Sequence, residues 1–170
     1  MSKLKLILIT GATKGIGRAT AFTFAKAGWD LILLARDLKE LENLKNQLKE
    51  FDVNVNTCNC DLSKVEIIES SISKLLKEFG CPSVVLNNAG FAYNGELIQM
   101  PLKQWQKIIQ VNLTSIFQIC SEIVPLMRVK GGLIINVSSH AAYNAFPQWG
   151  AYCTTKAALA SFTKCLREEE

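Results

Sequence analysis

Short runs rich in Leu, Ile and Val alternate along the chain with longer amphipathic stretches. Lys5 to Thr10, Asp30 to Ala35, Val53 to Cys58, Ser83 to Asn87 and Gly132 to Val137 read as strands, because each is short and nearly continuously apolar. Between them, helical periodicity covers residues 16–27, 38–50, 64–79 and 103–128, and a fifth helix runs from about 148 to the end. Strands that do not alternate apolar and polar positions belong to a parallel sheet covered on both faces. Repeated strand–helix units of this size predict an open, doubly wound α/β sheet of the Rossmann type, connected by right-handed crossovers. No linker, internal repeat or low-complexity segment interrupts the series, so residues 1–170 read as one domain.

The stretch 103–128 departs from the amphipathic norm. Ile108, Ile109, Val111, Leu113, Ile116, Phe117, Ile119, Cys120, Ile123 and Val124 occupy more than one face of a helical wheel. A helix apolar nearly all round is buried on two sides. A subunit interface is the favoured explanation, with deep packing inside one subunit as the alternative.

Composition narrows the picture. A chain of 170 residues, 49% hydrophobic and 20% charged, forms one domain with a sizeable core and is too short for two ordinary ones. The net charge of +4 comes from scattered basic residues without a concentrated stripe, which argues against a nucleic-acid or membrane-surface partner. No apolar stretch is expected to reach the ~18 residues that a bilayer span requires. The segment Met1 to Ile9 has too short an apolar part, and no small-residue cleavage site, for a signal peptide. Six cysteines without a Cys-x-x-Cys pair, beside the single His140, make no zinc site of ordinary spacing. No metal is expected, the thiols read as structural or buried, and the chain is expected to be cytoplasmic.

Candidate chemistry begins after the first strand, at Thr10-Gly11-Ala12-Thr13-Lys14-Gly15-Ile16-Gly17. Glycines at 11, 15 and 17 allow a tight turn and a close approach of backbone to ligand. The helix that follows directs unpaired N–H groups and its positive dipole end at the same place, which suits a pyrophosphate. The spacing is Gly-x-x-x-Gly-x-Gly rather than the commoner Gly-x-Gly-x-x-Gly. At the end of strand two, where an NAD site places an acid, the run is Leu33-Leu34-Ala35-Arg36-Asp37. Arg36 with Lys14 would meet a 2′-phosphate, so NADP(H) is favoured over NAD. Asp37, one place later, is placed to cap the next helix.

In the last helix Tyr152 and Lys156 are four residues apart and share a face. An adjacent ammonium and an oxidised nicotinamide both favour a tyrosinate, so a phenol here can serve as acid or base near neutral pH. Ser139, at the end of strand five, lies at the carboxyl edge of the sheet, where ligands of such folds bind. Ser138 reads as a strand-end residue only.

Thr10-Gly11-x-x-x-Gly15-x-Gly17, Asn87-Asn88-Ala89-Gly90, Asn112, Ser139 and Tyr152-x-x-x-Lys156 together resemble the short-chain dehydrogenase/reductase family, in order and spacing over the whole chain. The resemblance implies a nicotinamide-dependent oxidoreductase acting on a small-molecule carbonyl or secondary alcohol. It implies that Ser139 polarises the carbonyl and Tyr152 is the general acid/base. Lys156 would bind the nicotinamide ribose, and Asn112 would hold a water of the proton relay. The cofactor set it implies is Gly11, Thr13, Lys14, Gly15, Ile16, Gly17, Arg36, Asp61, Leu62, Asn88, Ala89 and Gly90, together with Tyr152 and Lys156. Asp61 falls beside adenine, and Asn87-Asn88-Ala89-Gly90 lines the cofactor and steadies the sheet. Family members self-associate as dimers or tetramers, which places the expected contact on helices 103–128 and 148–170.

The family continues beyond the Tyr/Lys helix with two more strands and a substrate loop, whereas this sequence ends at Arg167-Glu168-Glu169-Glu170. The expectation is a C-terminally truncated chain whose fifth strand lies at a sheet edge. Three acids at a helix C-terminus also oppose the helix dipole. The alternative to an active reductase is a non-catalytic remnant that binds nucleotide or pairs with a full-length homologue. His140, Tyr143, Phe146, Trp149, Phe91 and Tyr93 suggest an apolar, aromatic-lined substrate pocket.

Overall fold

The strands assemble as the apolar runs predict. In the computed structural model, which describes residues 5–170, β1 (Leu6–Thr10), β2 (Asp30–Ala35), β3 (Val55–Asn59), β4 (Val84–Asn87) and β5 (Leu133–Asn136) form one parallel sheet in the order β3-β2-β1-β4-β5. Residues 1–4 of the segment weighed as a signal peptide lie outside the described residues. Six helices cover the sheet: α1 (Gly15–Lys26), α2 (Leu38–Gln47), α3 (Val65–Phe79), α4 (Leu102–Ile109), α5 (Ser115–Lys130) and α6 (Gly150–Glu169).

Both faces of the central strands are buried, which explains their lack of alternation. Ile7, Ile9, Leu31 and Leu33 pack with α1 and α2 on one face, through Ala21, Ala25, Leu41 and Leu44. Leu8, Ile32, Leu34 and Val85 pack on the other against Ile68 and Ile72 of α3 and Ile119 and Ile123 of α5. Chain order reverses between β1 and β4, and in open α/β sheets this switch point opens a crevice at the strands' carboxyl ends.

The expected helix 103–128 is a continuous helical run from Leu102 to Lys130, with a π-helical turn at Gln110–Thr114 joining α4 to α5. By length and composition it is apolar enough to cross a bilayer, which corrects the expectation that no segment would be. Part of its apolar character is buried within the subunit. Ile119 and Ile123 face the sheet and α3, while Ile116, Cys120 and Val124 face Leu159 of α6. Deep packing therefore accounts for its two buried sides, and Phe117, Leu126 and Val129 remain exposed.

β5 pairs with β4 alone, so it lies at the edge of the sheet, with Leu133 and Ile135 exposed by 54% and 39%. A polar rung crosses this edge. Asn87 Nδ2 donates to Asn136 Oδ1 at 2.9 Å, and Asn136 Nδ2 donates to Thr163 Oγ1 of α6 at 2.9 Å. Two of the terminal acids find basic partners: the Arg128 guanidinium holds the Glu170 carboxylate through two hydrogen bonds, and Arg167 lies 3.5 Å from Glu168. All six thiols are free. Cys60 and Cys120 are buried and Cys165 is exposed, so burial does not extend to every cysteine. Burial pushes the Cys58 and Cys120 thiols up to about 11, which leaves them weak nucleophiles.

Truncating Ile119, fully buried between sheet and helices, removes packing that its neighbours cannot restore. Ile119→Ala is expected to cost about 2–5 kcal/mol in urea unfolding, whereas Ile98→Ala, at a site 93% exposed, is expected to change stability by no more than about 0.5 kcal/mol.

Candidate active site

Two short turns, one after β1 and one after β4, are fastened together at the switch point. Thr10, 1% exposed, presents an Oγ1 that accepts the backbone N–H groups of Asn88 and Ala89, both at 3.0 Å. The Asn88 amide returns the connection, donating to the carbonyls of Thr10 at 3.1 Å and Gly11 at 3.2 Å. Gly11 has φ of 63°, and a Cβ there would lie 2.9 Å from the Ala89 Cα. Only glycine accommodates both the left-handed backbone and the close approach. A side chain at Gly17 would collide with the Gly11 carbonyl and the Asn88 amide, so that glycine seats α1 against the turn.

A cavity of about 600 Å³ opens over these turns. Gly11, Thr13, Lys14, Gly15, Ile16, Arg36, Asp61, Leu62, Asn88, Ala89 and Gly90 line it, all of them expected from the sequence. Of the expected cofactor set, Gly17, Tyr152 and Lys156 do not line it, and Gly17 acts through packing instead. Asp37 is at the wall, but its Oδ1 accepts the Glu40 N–H at 3.1 Å, the helix cap expected of it. Burial pushes the Asp61 carboxyl up. The Ser63 N–H and hydroxyl on its Oδ1, with Arg36 and Lys64 nearby, outweigh that and hold it below the usual carboxylate range. Ser63, Phe91, Lys107 and Val111 also line the cavity; of these, sequence reasoning reached only Phe91 and Val111, and gave them other roles. They sit in loop or helix positions without a cofactor motif, and Thr10 was legible only as part of the glycine motif.

At Gly90 the cavity meets a second group of side chains. A Cβ on Gly90 would lie 3.2 Å from Asn112 Oδ1 and 3.9 Å from Lys156 Nζ. Asn112 is fully buried inside the π-helical turn. Its Oδ1 accepts the Phe91 N–H at 3.0 Å, and its Nδ2 donates to the Phe91 carbonyl at 2.9 Å and Thr155 Oγ1 at 3.1 Å. A π turn inserts one extra residue into a helix and so re-aims a side chain, a device common at functional sites.

Lys156, 4% exposed, donates from Nζ to the Val137 carbonyl at 2.6 Å and lies 5.6 Å from the centre of the Tyr152 ring. Burial pulls its ammonium below the ordinary lysine range. Ser139 lies three residues beyond β5 and caps the short turn His140–Ala142, its Oγ accepting the Ala141 N–H at 3.2 Å, which leaves its hydroxyl hydrogen free for another acceptor. Trp149 meets Tyr152 edge-to-face at 5.6 Å, and His140 and Phe146 lie 6.0 Å apart. Of the aromatic residues expected to line a pocket, Trp149 thus stands against Tyr152, but Tyr143 is 72% exposed and forms no enclosed pocket wall. The Gly95 N–H donates to the Gln148 carbonyl at 2.9 Å, tying the loop after β4 to the loop before α6. Gln148 holds φ of 67°, a left-handed conformation unusual for its residue type.

Residues 5–170 match the short chain dehydrogenase family. The chain is 37% identical over 175 residues to an NADP-dependent 3-hydroxy acid dehydrogenase of Schizosaccharomyces pombe, covering 99% of this chain and 68% of that one. It is 32% identical over 163 residues to a 3β-hydroxysteroid dehydrogenase of Mediterraneibacter gnavus, covering 95% and 59%. Among solved structures, a metagenomic short-chain oxidoreductase in complex with NADP superposes with a TM-score of 0.93 at 30% identity, covering 98% of this chain and 76% of that one. The chain spans between 28% and 68% of the length of the curated relatives it matches.

Thr10→Val deprives two backbone N–H groups of their acceptor and is expected to cost on the order of 1–3 kcal/mol in urea unfolding, while Thr10→Ser retains most of that stability. Lys156 gives a pH signature. Its folded pKa is depressed, so the unfolded chain binds the extra proton in the window between that value and the ordinary lysine value of 10.5. Stability contributed at this residue is therefore lowest below the folded pKa and rises with pH across the window. The difference in unfolding free energy between wild type and Lys156→Met should shift in favour of wild type as the pH is raised toward 10.5. A flat difference would show that the buried ammonium carries no desolvation penalty.

Proposed function

Because the chain belongs to the short-chain dehydrogenase family, we propose that it is an NADP(H)-dependent oxidoreductase interconverting a carbonyl and a secondary alcohol. The observation that carries this reading is the junction at Gly90, where a cation-flanked, glycine-lined groove meets buried Asn112 and Lys156 beside Tyr152. The groove suits the cofactor on its own geometry: Gly15, in a left-handed conformation, borders open space, α1 opens at the glycine loop, and Lys14 and Arg36 supply positive charge on its wall.

In this reading the N–H groups at the start of α1 hold the pyrophosphate. Arg36 and Lys14 meet a 2′-phosphate, which a guanidinium grips bidentately. Asp61 and Leu62 flank adenine, and Asn88, Ala89 and Gly90 line the path toward the nicotinamide. NADPH, when bound, supplies the hydride. The Ser139 hydroxyl, with its oxygen anchored on Ala141 N–H, donates to the substrate oxygen. Tyr152 gives its proton to that oxygen during reduction and takes it back during oxidation. Lys156, steadied on the Val137 carbonyl, hydrogen-bonds the nicotinamide ribose. Asn112 keeps the relay side of the site in place. The superposable metagenomic oxidoreductase is in complex with NADP and the S. pombe relative is an NADP-dependent dehydrogenase, and both support the choice of cofactor.

The same reading places self-association on the exposed apolar positions of α5 and on α6, with Phe117, Leu126 and Val129 as the contact. It places the chain in the cytoplasm as a single nucleotide-binding domain.

Fluorescence titration with NADPH and NADH tests the cofactor, and NADPH oxidation with a generic ketone tests the chemistry. NADPH is expected to bind at least about tenfold more tightly than NADH, and Arg36→Ala to erase most of that difference, which at tenfold corresponds to about 1.4 kcal/mol. Tyr152→Phe is expected to keep NADPH binding and lose turnover by about 10²-fold or more. Tighter binding of NADH would overturn the role of Arg36, and tight NADPH binding without turnover in wild type would favour a nucleotide-binding remnant.

A further inference from the structure

Between Tyr152 and Lys156 on α6 lies a buried hydroxyl that the mechanism above does not use. Thr155 is 0% exposed. Its Oγ1 donates to the Tyr152 carbonyl at 2.8 Å and accepts from Asn112 Nδ2 at 3.1 Å. Among the described residues, this side chain hydrogen-bonds both to the residue read as acid/base and to the asparagine of the π-helical turn. Asn112 also pairs with the Phe91 N–H and carbonyl, which with Thr155 uses both of its amide hydrogens. Its amide is therefore held from two directions, by the loop after β4 and by α6.

We infer that Thr155 is a positioning residue for the acid–base site, locking the rotation of α6 against the π-helical turn so that Lys156 stays against Gly90 with Tyr152 beside it. This inference rests on the reading of Tyr152 and Lys156 given above. α6 packs against α5 through Leu159, Phe162 and Leu166, on Ile116, Cys120 and Val124, and these contacts lie further along the helix than the site. Apolar contact sets the distance between two helices and constrains rotation only loosely, because the hydrophobic effect is non-directional. A hydrogen bond between two buried side chains is directional and costly to leave unmade. Thr155 places such a bond within the turn that carries both Tyr152 and Lys156.

The same device recurs two turns on. Thr163 Oγ1 accepts from Asn136 Nδ2 at 2.9 Å and donates to the Leu159 carbonyl at 2.7 Å. α6 is thus pinned at two threonines, each accepting from an asparagine amide and donating back to its own helix. One pin reaches β5 and the other the π-helical turn, and only the second lies where a small rotation would misdirect the phenol. A misplacement of about 1 Å in such a site is enough to cost on the order of a hundredfold in rate.

The test compares Thr155→Val with Thr155→Ser in the full 170-residue chain. Valine keeps the shape and removes the hydroxyl, whereas serine keeps the hydroxyl. The first readout is hydrogen exchange of the Asn112 side-chain amide, followed by ¹⁵N NMR without any ligand. Exchange is expected to accelerate at least about tenfold in the valine variant and to stay near the wild-type rate in the serine variant. The second is steady-state reduction of acetophenone by NADPH. Here kcat is expected to fall by about 10–100-fold in the valine variant, with the NADPH dissociation constant changed by less than about twofold, and to recover in the serine variant. Unchanged Asn112 exchange in Thr155→Val would overturn the inference, as would a kcat that serine fails to restore. A wild-type chain that binds NADPH without reducing acetophenone would count against the functional reading, while the Asn112 exchange would still decide the role of Thr155.

Discussion

The Thr10 hydroxyl carries two backbone N–H groups from the turn after β4, and the arrangement of the site depends on that attachment. β1 and β4 are neighbours because the sheet reverses its winding between them. Without a tie beyond the ladder, the glycine loop after one strand and the Asn-Ala-Gly turn after the other would be two independent loops. The hydroxyl and the returning Asn88 amide make them one body. Gly90, at the end of that body, then approaches Asn112 and Lys156 closely enough that a Cβ would press on the first and touch the second. Position passes from the glycine turn to Asn112 and Lys156 through consecutive backbone atoms rather than through a flexible side chain.

The opposing constraint is electrostatic. An ammonium buried to the extent of Lys156 is disfavoured by desolvation, and its lowered pKa is the direct expression of that cost. A chain selected for stability alone would place an apolar residue there. The compensation available within the fold is the Val137 carbonyl, which lies at the end of β5 and accepts one of the three protons. The rest of the lysine's hydrogen-bonding capacity, and the free hydroxyl hydrogen of Ser139, remain for the proposed ribose and substrate. Unspent donors in a folded chain are what a polar ligand can satisfy.

The architecture was legible because parallel strands buried on both faces leave an unambiguous signature, as in Leu31-Ile32-Leu33-Leu34, where each residue belongs to one of two cores. β2 runs over Asp30–Ala35 as the apolar pattern indicates. β3 begins at Val55, two residues later than the pattern suggests, because Val53 lies in the turn that leads into the strand. The cradle was legible from its glycines, and even the helix-capping role of Asp37 followed from its place before Leu38. What escaped was of two kinds. The two buried faces of the helix 102–130 are covered by α3, α6 and the sheet, which periodicity could not specify, because it records that a face is covered and not by what. The π-helical turn at Asn112 and the latch between Gly95 and Gln148 escaped because both are made by backbone geometry with no residue-type signature.

Thr10, Thr155 and Thr163 belong to the same class of omission, and they share a physical role. Each is a short hydroxyl in or at the edge of an apolar element, where composition alone suggests a tolerated small residue. Each instead accepts from nitrogen donors of another segment: two backbone amides for Thr10, and an asparagine side chain for the other two. The apolar residues bring sheet and helices to their packing distance, and that part of the structure is redundant, since many side chains contribute to it. The hydroxyls set rotation and register at single points, where each removal leaves a specific donor without its acceptor. The directions of Tyr152 and Lys156 are therefore more sensitive to these threonines than to any one of the large core residues that surround them.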